Sequence, residues 1–288
     1  MRVLELFCGI GGCSVAVAGS PAEVVGAIDQ SPHAGAVYDL NFAHRLTLNL
    51  ASVKAPQLAR FDASLWWMSP PCQPFTIRGN QRDLDDPRSA AFKRVVALLD
   101  EVRPTAVALE NVVRFEGSRA RALLCEVLDG AGYDVQERIL CPTELGVPTR
   151  RRRYYLVASR RGLRRSQHAA PVSPRPLEDY LDAAPHTQLY LDDRFLDRWG
   201  EALAVCRADD PDAVAMTFTA AYGKSPVYAG SYLDDGVGLR RFSPRELLRL
   251  LHFPDSFALP EMRLRTAYKV IGNSLSTTAV REVLAPLW

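Results

Sequence analysis

Short apolar runs of strand length alternate with apolar positions of helical spacing through the first 160 residues of this chain. The predicted strands cover residues 2–7, 24–28, 65–68, 105–109 and 153–158, and the predicted helices start near Ser14 and at Pro32 and cover residues 90–102 and 119–131. Ser31 stands where a helix N-cap is expected, one residue before a proline that suits the first helical position. This alternation predicts a Rossmann-like α/β fold, a mostly parallel sheet with helices on both faces.

The alternation weakens from about Leu163, where prolines and mixed polar residues predict a linker into a smaller, irregular region that reaches about Leu239. Ser243 and Glu246 then form the pattern of a capping box, which predicts the start of another helix. The last residues, 268–287, return to strand, turn and helix patterns. The predicted domains are a large one of residues 1–162, completed by residues 263–288, and a small irregular one of residues 163–262.

Composition narrows the class of protein. The chain has 288 residues, of which 48% are hydrophobic and 24% charged, as in ordinary globular proteins. No apolar stretch approaches membrane-spanning length and a charge interrupts the first strand, so we expect neither a membrane span nor a signal peptide. The six cysteines show neither a CxxC pair nor a zinc spacing, so we expect no metal site and a reducing, cytoplasmic location.

Charge is unevenly distributed, although the net charge is only +2. Eight arginines lie between Arg150 and Arg165, and such a basic strip can bind phosphate groups. A solvated charged face is the usual explanation of such a run. Four of these arginines adjoin a predicted strand, which favours a role in a site.

Cys72 is the most informative residue for chemistry. It follows the predicted strand 65–68 and stands in the segment Ser69–Pro74, with the sequence SPPCQP. Its prolines fix three φ angles near −65°, so the thiol is presented on a stiff, non-helical loop. Open α/β sheets place their chemistry at such strand ends. A buried and inert thiol is the alternative, and it is the commonest fate of a free cysteine.

A glycine-rich turn follows the first predicted strand, and its residues are Phe7, Gly9, Ile10, Gly11 and Gly12. Glycines let backbone N–H groups approach a ligand closely. Asp29 ends the second predicted strand, where a carboxylate can accept hydrogen bonds from ribose hydroxyls. Because the spacing is not GxGxxG, an adenosine-type ligand is favoured over a dinucleotide. A plain tight turn is the alternative.

Charged residues border two other predicted strands. Glu110 closes the strand 105–109, where partial desolvation favours the protonated carboxyl group that can donate a proton. A helix-capping or ion-pairing glutamate is the alternative. Arg151 and Arg153 flank Arg152 at the start of the strand that includes 153–158, and strand alternation predicts that both point to one face.

These features resemble the cytosine C5-methyltransferases that use S-adenosylmethionine. The motifs that carry the resemblance, in the family's order, are the turn 7–12, the Pro-Pro-Cys-Gln loop at 70–73, Glu110-Asn111-Val112, Arg151 with Arg153, the sequence RFSPRELLRLLHFP at 241–254, and Gly272-Asn273-Ser274. They span the chain except roughly residues 163–215. The resemblance implies that the large domain is catalytic and that the small one recognises the target.

The resemblance also implies covalent catalysis on cytosine. Cys72 would add to C6 as a thiolate, and Glu110 would protonate or hydrogen-bond N3. Arg151 and Arg153 would orient the base carbonyl, and C5 would then take the methyl group. The implied cofactor contacts are Phe7, Gly9, Ile10, Gly11, Gly12, Asp29, Asn49, Leu50, Ser69, Asn273 and Ser274, and the implied substrate contacts are Gln73, Asn111, Thr217, Phe218, Thr219 and Tyr222. The product cofactor is S-adenosylhomocysteine.

Within the family, the chain looks most like the branch that methylates a cytosine in the anticodon loop of the aspartate tRNA. The motifs that it shares with this branch are Arg78-Gly79, Asp86, Arg88, Phe115-Glu116, Cys141-Pro142-Thr143 and Leu145–Pro148. The variable region is small for a reader of DNA base edges, and an RNA loop already offers unstacked bases. The chain departs from that branch at Thr217-Phe218-Thr219, where the branch carries Cys-Phe-Thr.

Three functions stay open at this point. A tRNA cytosine C5-methyltransferase is favoured, and duplex DNA is the alternative substrate, as in a restriction system. The third is a nucleic-acid-binding protein without catalysis. Residues suited to catalysis argue against it, and they are Cys72, Glu110, Arg151 and Arg153. We expect a monomer with no membrane partner.

Overall fold

A seven-stranded sheet forms the centre of the larger unit of the protein, in a computed structural model that describes residues 1–76, 82–164 and 172–288. Its strands are β1 (Arg2–Leu6), β2 (Glu23–Ile28), β3 (Arg45–Leu46), β4 (Leu65–Met68), β5 (Ala106–Val112), β6 (Asp134–Leu140) and β7 (Arg153–Ser159). They lie in the order β3-β2-β1-β4-β5-β7-β6. Only β7 runs antiparallel to its neighbours in this described sheet, which confirms the predicted mostly parallel α/β fold.

Helices connect these strands as the alternating pattern predicts. They are α1 (Gly12–Val17), α2 (Pro32–Asn41), α3 (Ala55–Ala59), α4 (Ala90–Ala97), α5 (Leu99–Val102) and α6 (Arg119–Gly130). The hydroxyl of Ser31 accepts a hydrogen bond from the Ala34 amide at 3.3 Å, which confirms it as the N-cap of α2. The single predicted helix 90–102 consists of two consecutive helices, α4 and α5.

A second compact unit comprises Cys141–Arg151 and the segment that ends at Ala279. Its elements are α7 (Asp193–Trp199), the strands β8 (Val205–Arg207), β9 (Tyr232–Asp234) and β10 (Leu239–Arg241), and the helices α8 (Pro244–Leu250) and α9 (Leu264–Gly272). The capping box of Ser243 and Glu246 is present at the start of α8, as predicted. The terminal helix α10 (Thr277–Leu284) lies mostly in the first unit.

These units differ in extent from the predicted domains. The short segment Cys141–Arg151, which was expected in the large domain, groups with the second unit, as do α9 and the residues up to Ala279. The assignment of catalysis to one unit and target recognition to the other stays a prediction. Predicted features at Arg78, Gly79, Arg165 and Pro171 lie outside the described residues.

Two predicted elements differ from the structure. Strand β6 was not predicted, because this edge strand is only partly buried and its charged side chains interrupt any apolar run. Residues 268–287 were expected to include a strand, but they contain most of α9 and all of α10. The buried residues of α9 are Ala267, Tyr268, Val270, Ile271 and Gly272, which is helical rather than alternating spacing.

Candidate active site

Cys72 lies on a loop that is fixed at both ends. The loop leaves β4, whose four residues are all buried, and the Phe75 amide donates to the Cys72 carbonyl oxygen at 2.9 Å. The Phe75 ring is buried and packs edge-on against Phe115, with 5.0 Å between ring centroids. Gln73, a predicted substrate contact, is half-buried in the same turn. The Cys72 side chain is therefore held at the end of a rigid strand.

The other cysteines differ from Cys72 in their surroundings. Cys72 is half-buried and forms no disulfide. Burial raises the pKa of the Cys8, Cys13 and Cys206 thiols, so the thiolate form is disfavoured at those positions. Burial also raises the pKa of half-buried Cys125. Partial exposure on a proline-rich loop makes Cys72 the candidate nucleophile.

Asn111 ties the end of β5 to the cysteine loop. Its side chain is buried, and its Nδ2 donates to the carbonyl oxygen of Pro70 at 3.1 Å. Its Oδ1 accepts a hydrogen bond from the Val112 amide at 2.8 Å. The resemblance implies a substrate contact here, but these bonds show an anchor between two strand ends.

Glu110 and Arg153 meet on adjacent strands. The antiparallel register pairs Glu110 with Tyr155 and Val112 with Arg153, so alternation places Glu110 and Arg153 on the same face. The Nε atom of Arg153 lies 3.3 Å from Oε1 of Glu110, and the two side chains are 15% and 12% exposed. A carboxyl group and a guanidinium group are thus paired in a largely desolvated position.

The prediction that Arg151 points to the same face as Arg153 relied on strand alternation. Strand β7 begins only at Arg153, so the alternation does not extend to Arg151. The buried Arg151 guanidinium donates to the Phe218 carbonyl at 3.0 Å, to the Gly272 carbonyl at 3.2 Å, and to the Ser274 carbonyl. Within the second unit, Arg151 therefore organises the turn that carries Asn273.

Asp86 and Arg88 form a further site feature, which sequence analysis quoted only as part of the resemblance. Arg88 donates from Nε to Oδ1 of the buried Asp86 at 2.8 Å, and its second nitrogen reaches Oδ2 at 2.6 Å. These bonds lower the pKa of Asp86 to about 2. The Asp86 hydrogen bond and, to a smaller extent, the charge of Cys72 raise the pKa of Arg88. By the same interaction, Arg88 favours a thiolate at Cys72.

The glycine turn between β1 and α1 has three residues with left-handed φ angles: Phe7 at 58°, Gly9 at 54° and Gly11 at 92°. A Cβ at Gly11 would lie 2.6 Å from the Phe42 ring, so only glycine fits there. A Cβ at Gly9 would meet no described atom within 4 Å, so the space beside this part of the turn is open. Ile10 and Gly12 are buried in the turn.

Two carboxylates organise this turn. Oδ2 of Asp29 accepts from the Gly9 amide at 2.9 Å, and Oδ1 accepts from the Ser31 amide at 2.7 Å. Glu5, which sequence analysis did not assign to the site, is 1% exposed and accepts from the amides of Cys13 and Ser14 at 3.0 and 3.2 Å. An acid between two leucines of a buried strand is the signal that would have found it.

The remaining predicted cofactor residues differ in their exposure and in their hydrogen bonds. Asn49 is exposed, and its Oδ1 accepts from the Ala51 amide and from the Gln30 side chain, both at 2.9 Å. The side-chain nitrogen of Asn49 is therefore the atom that can donate a hydrogen bond to a ligand. Leu50 is buried, and the Ser69 hydroxyl accepts from the Trp67 indole at 2.9 Å. In the second unit, Asn273 is exposed and Ser274 is buried.

The predicted recognition residues are mostly internal to the second unit. Phe218 and Tyr222 are buried, with ring centroids 5.0 Å apart, and the Tyr222 hydroxyl donates to the Ser231 carbonyl. The Thr217 hydroxyl donates to the Arg150 carbonyl. The Thr219 hydroxyl donates weakly to the Ala229 carbonyl at 3.4 Å. Phe218 and Tyr222 thus build the core of this unit rather than its surface.

Two features are absent from the described residues. No described cluster of histidine, cysteine, aspartate and glutamate has three members placed to hold a metal ion. No helix within residues 1–76, 82–164 and 172–288 has the length and apolar character that crossing a membrane requires.

The sheet, the open glycine turn with its acid, and the cysteine loop tied through Asn111 to the end of β5 are together the features of an α/β transferase. The chain belongs to the C-5 cytosine-specific DNA methylase family, whose sequence model matches residues 1–201 and 215–287. Family members use S-adenosylmethionine as methyl donor.

Two curated relatives match along their full length. The chain is 31% identical to a tRNA (cytosine(38)-C(5))-methyltransferase of Schizosaccharomyces pombe, over 100% of this chain and 96% of that protein. It is 28% identical to a protein of the same name from Spodoptera frugiperda, over 100% of this chain and 99% of that protein. The crystal structure of the S. pombe Dnmt2 methyltransferase superposes with a TM-score of 0.88 and covers 100% of this chain and 99% of that one.

Proposed function

We propose that this protein transfers a methyl group from S-adenosylmethionine to C5 of a cytosine in the anticodon loop of tRNA. The observation that carries the proposal is the connection of the Cys72 loop, through Asn111, to the Glu110–Arg153 pair. The full-length similarity to proteins named as tRNA (cytosine(38)-C(5))-methyltransferases supports tRNA as the substrate.

The reaction begins with the Cys72 thiolate, which forms a bond to C6 of the cytosine. Arg88, held by Asp86, favours that thiolate electrostatically. The addition places charge on the pyrimidine ring, and Glu110 relieves it by donating a proton or a hydrogen bond to N3. Arg153, whose Nε atom lies 3.3 Å from Oε1 of Glu110, binds the adjacent carbonyl oxygen of the same base in this proposal.

Methyl transfer follows at C5. When bound, S-adenosylmethionine supplies an electrophilic methyl group on a sulfonium. A base then takes the C5 proton, the C5–C6 double bond re-forms, and the bond between C6 and the Cys72 sulfur breaks, while N3 gives back to Glu110 any proton that it took. Every residue thereby returns to its initial state, so Cys72 acts as a nucleophilic catalyst.

The residues at the ends of β1 and β2 fit an adenosine-type cofactor. The open space over Gly9 admits a ligand close to the backbone, and Asp29 is held beside it as an acceptor for ribose hydroxyls. The side-chain nitrogen of Asn49 would donate a hydrogen bond to the adenine, since its side-chain oxygen already accepts hydrogen bonds from the Ala51 amide and the Gln30 side chain. Contacts of Asn273 and Ser274 with the cofactor stay predictions.

The target base must leave its stack to reach Cys72. A tRNA anticodon loop already presents unstacked bases, so this step costs less free energy there than in duplex DNA. Arg151 holds the turn at Gly272 and does not touch the base in this proposal. Its role in the reaction is to position that turn.

Duplex DNA is the second candidate substrate, because the matching family model is described as a DNA methylase. The test is transfer of a labelled methyl group from S-adenosylmethionine to total tRNA and, in parallel, to duplex DNA. The Cys72→Ala variant is the control, and it should transfer no label. Label in tRNA alone supports the proposal. Label in DNA alone would reject it in favour of the DNA enzyme.

We also propose a cytoplasmic, monomeric enzyme. None of the six cysteines forms a disulfide, which suits a reducing compartment. Sedimentation analysis at micromolar concentration tests the monomer, and a stable dimer at that concentration would contradict it.

A further inference from the structure

Asp83 has a backbone conformation that is unusual for a residue with a side chain. Its φ angle is 53°, in the left-handed region that glycine adopts without strain and that aspartate adopts more often than most residues. Its carbonyl oxygen accepts from the Ser89 hydroxyl at 2.6 Å and from the Asp86 amide at 3.2 Å. The presence of aspartate rather than glycine here is explained if the carboxylate has partners of its own.

The Asp83 carboxylate binds the start of helix α6. Its Oδ2 accepts from the Arg119 amide at 2.6 Å, and its Oδ1 accepts from the Ala120 amide at 3.1 Å. These are the first two amides of α6, and such amides have no acceptor inside a helix. The helix dipole also favours a negative charge at this end. A side chain that lies 36 residues before Arg119 along the chain therefore caps α6.

Helix α6 is a firm support for this contact. Three of its residues belong to the hydrophobic core of the larger unit, and they are Ala120, Leu124 and Leu128. The third amide of the helix, that of Arg121, donates to the Ser118 hydroxyl at 3.0 Å. Each of the first three amides thus has an acceptor, and the Asp83 side chain is fixed to an element that is itself held by the core.

Asp83 also connects two parts of the candidate site. Its amide donates to the carbonyl oxygen of Pro74, at the end of the Cys72 loop, at 3.3 Å. Ser89, whose hydroxyl binds the Asp83 carbonyl, is buried and directly follows Arg88. Arg88 is the residue whose charge favours a thiolate at Cys72. One residue therefore ties both the cysteine loop and the turn that carries Arg88 to helix α6.

We propose that Asp83 is a positioning residue for the reaction of Cys72: by binding α6 with its carboxylate, it keeps Arg88 close enough to the thiolate to stabilise it. This inference rests on the proposed function, in which Cys72 reacts as a thiolate. Asp83 acts through Arg88 rather than on the base. Its own negative charge would disfavour a nearby thiolate, so its benefit to the reaction comes from the position that it imposes.

Two variants remove the carboxylate and suit the left-handed backbone. Asp83→Asn keeps the size of the side chain, but its nitrogen cannot accept a hydrogen bond, so α6 loses one of two contacts. Asp83→Gly removes both contacts in a residue that adopts this φ angle freely. Asp85→Asn is the matched control, because Asp85 carries the same charge two residues away and its Oδ2 lies 2.5 Å from the side chain of Arg119. Circular dichroism sets a temperature at which all the variants are folded.

The first measurement is the rate of Cys72 alkylation by iodoacetamide, followed by peptide mass spectrometry over a pH series, without RNA or cofactor. Both Asp83 variants should move the profile to higher pH, toward that of Arg88→Gln, whereas Asp85→Asn should not. Loss of a negative charge alone would move the profile to lower pH, so the direction separates positioning from direct electrostatics. The single-turnover rate of methyl transfer should fall by about 3- to 100-fold, since a misplacement of about 1 Å can cost about 100-fold.

A double-mutant cycle tests whether Asp83 acts through Arg88. In the Arg88→Gln background, Asp83→Asn should move the alkylation profile no further, because the charge that Asp83 positions is already absent. A profile that both Asp83 variants leave in place, or move to lower pH, would overturn the proposal. Shifts that add in the double variant would overturn it as well, since Asp83 would then act by another route.

The alkylation assay separates this inference from the proposed function, because it needs no substrate. If the unchanged protein methylates tRNA and neither Asp83 variant moves the alkylation profile, the positioning role is rejected and the proposed function stands. If the profile moves as expected but the unchanged protein labels only duplex DNA, the proposed function fails and the positioning of Arg88 by Asp83 is supported.

Discussion

The Nε atom of Arg153 lies 3.3 Å from Oε1 of Glu110, across the antiparallel pair of β5 and β7. Both side chains are more than four-fifths buried, so the pair lies largely out of contact with water. A cytosine ring carries N3 beside its carbonyl oxygen, and a neighbouring carboxyl and guanidinium group complement those two atoms. In the proposed mechanism, the pair therefore acts as one binding element for the base.

Replacing Arg153 by alanine should lower kcat for methyl transfer by about 10²-fold or more, because the anionic intermediate loses a preorganised cation and Glu110 loses its partner. The measurement is single-turnover transfer of labelled methyl to tRNA. Arg153→Lys should recover little of the rate, since an ammonium group cannot reproduce the planar geometry of the guanidinium.

Arg121→Ala is the matched control for this experiment. Arg121 forms a comparable pair with Glu137 on β6, with a 2.8 Å bond from its Nε, but it lies outside the candidate site. The Arg121→Ala variant should retain kcat within about twofold, and its free energy of unfolding should fall by about 1 kcal/mol at most. Equal losses of kcat in both variants would show that the sheet, not the base contact, is being disturbed.

Asn111→Ala should release the cysteine loop from β5. The buried Pro70 carbonyl would lose its 3.1 Å partner, at a cost of about 1–3 kcal/mol in the free energy of unfolding. Urea denaturation measures that cost. Alkylation of Cys72 by iodoacetamide reports the position of the loop, and its rate should change in Asn111→Ala. An unchanged alkylation rate together with unchanged kcat would contradict the anchoring role.

Arg88→Gln should make Cys72 less reactive near neutral pH. Removing the guanidinium charge disfavours the thiolate, so the pH profile of Cys72 alkylation should move to higher pH. The same shift should appear in the rising limb of the rate of methyl transfer. Arg119→Gln, which removes an exposed arginine paired with Asp85, is the control and should leave both profiles in place.

The local features of the site could be predicted from the sequence because their causes lie within a few residues. The Pro-Pro-Cys loop after a buried strand and the Ser31 N-cap before Pro32 are of this kind, and the structure has both. The mostly parallel sheet could be predicted from the alternation of apolar runs. The antiparallel β7 and the charged edge strand β6 could not be predicted in this way. The sequence of a short strand does not indicate whether the neighbouring strand runs parallel or antiparallel to it.

Arg151 shows why the rest of the site could not be predicted. Its hydrogen-bond partners are 67, 121 and 123 residues away along the chain, and alternation in the 151–153 segment carries no information about them. The burial of Phe218 and Tyr222 could not be predicted for the same reason, because the rings that pack against them come from distant segments such as Phe242 and Tyr268.

Glu5 gives the stability of the protein a pH dependence. Desolvation by burial raises its pKa to about 7, against its hydrogen bonds to Ser14 and Cys13, which lower it. In the unfolded chain the pKa of a glutamate is about 4.3. Between these values the folded protein binds one more proton than the unfolded chain, so stability falls as pH rises. The stabilising contribution of Glu5 is fully present below about pH 4.3 and is lost as pH rises through about 7. Between these two values the free energy of unfolding falls by about 1.4 kcal/mol per pH unit.

Glu5→Gln should therefore flatten the pH dependence of the free energy of unfolding between pH 5 and 7, since glutamine does not titrate. Its amide cannot accept from both backbone N–H groups and the Ser14 hydroxyl, whose bond to Glu5 is 2.6 Å, so the variant should be less stable at pH 5. Urea denaturation at half-unit pH intervals measures both effects. Parallel curves for the two proteins would mean that Glu5 stays ionised in the fold, and the glycine turn would then rest on a buried carboxylate rather than on a carboxylic acid.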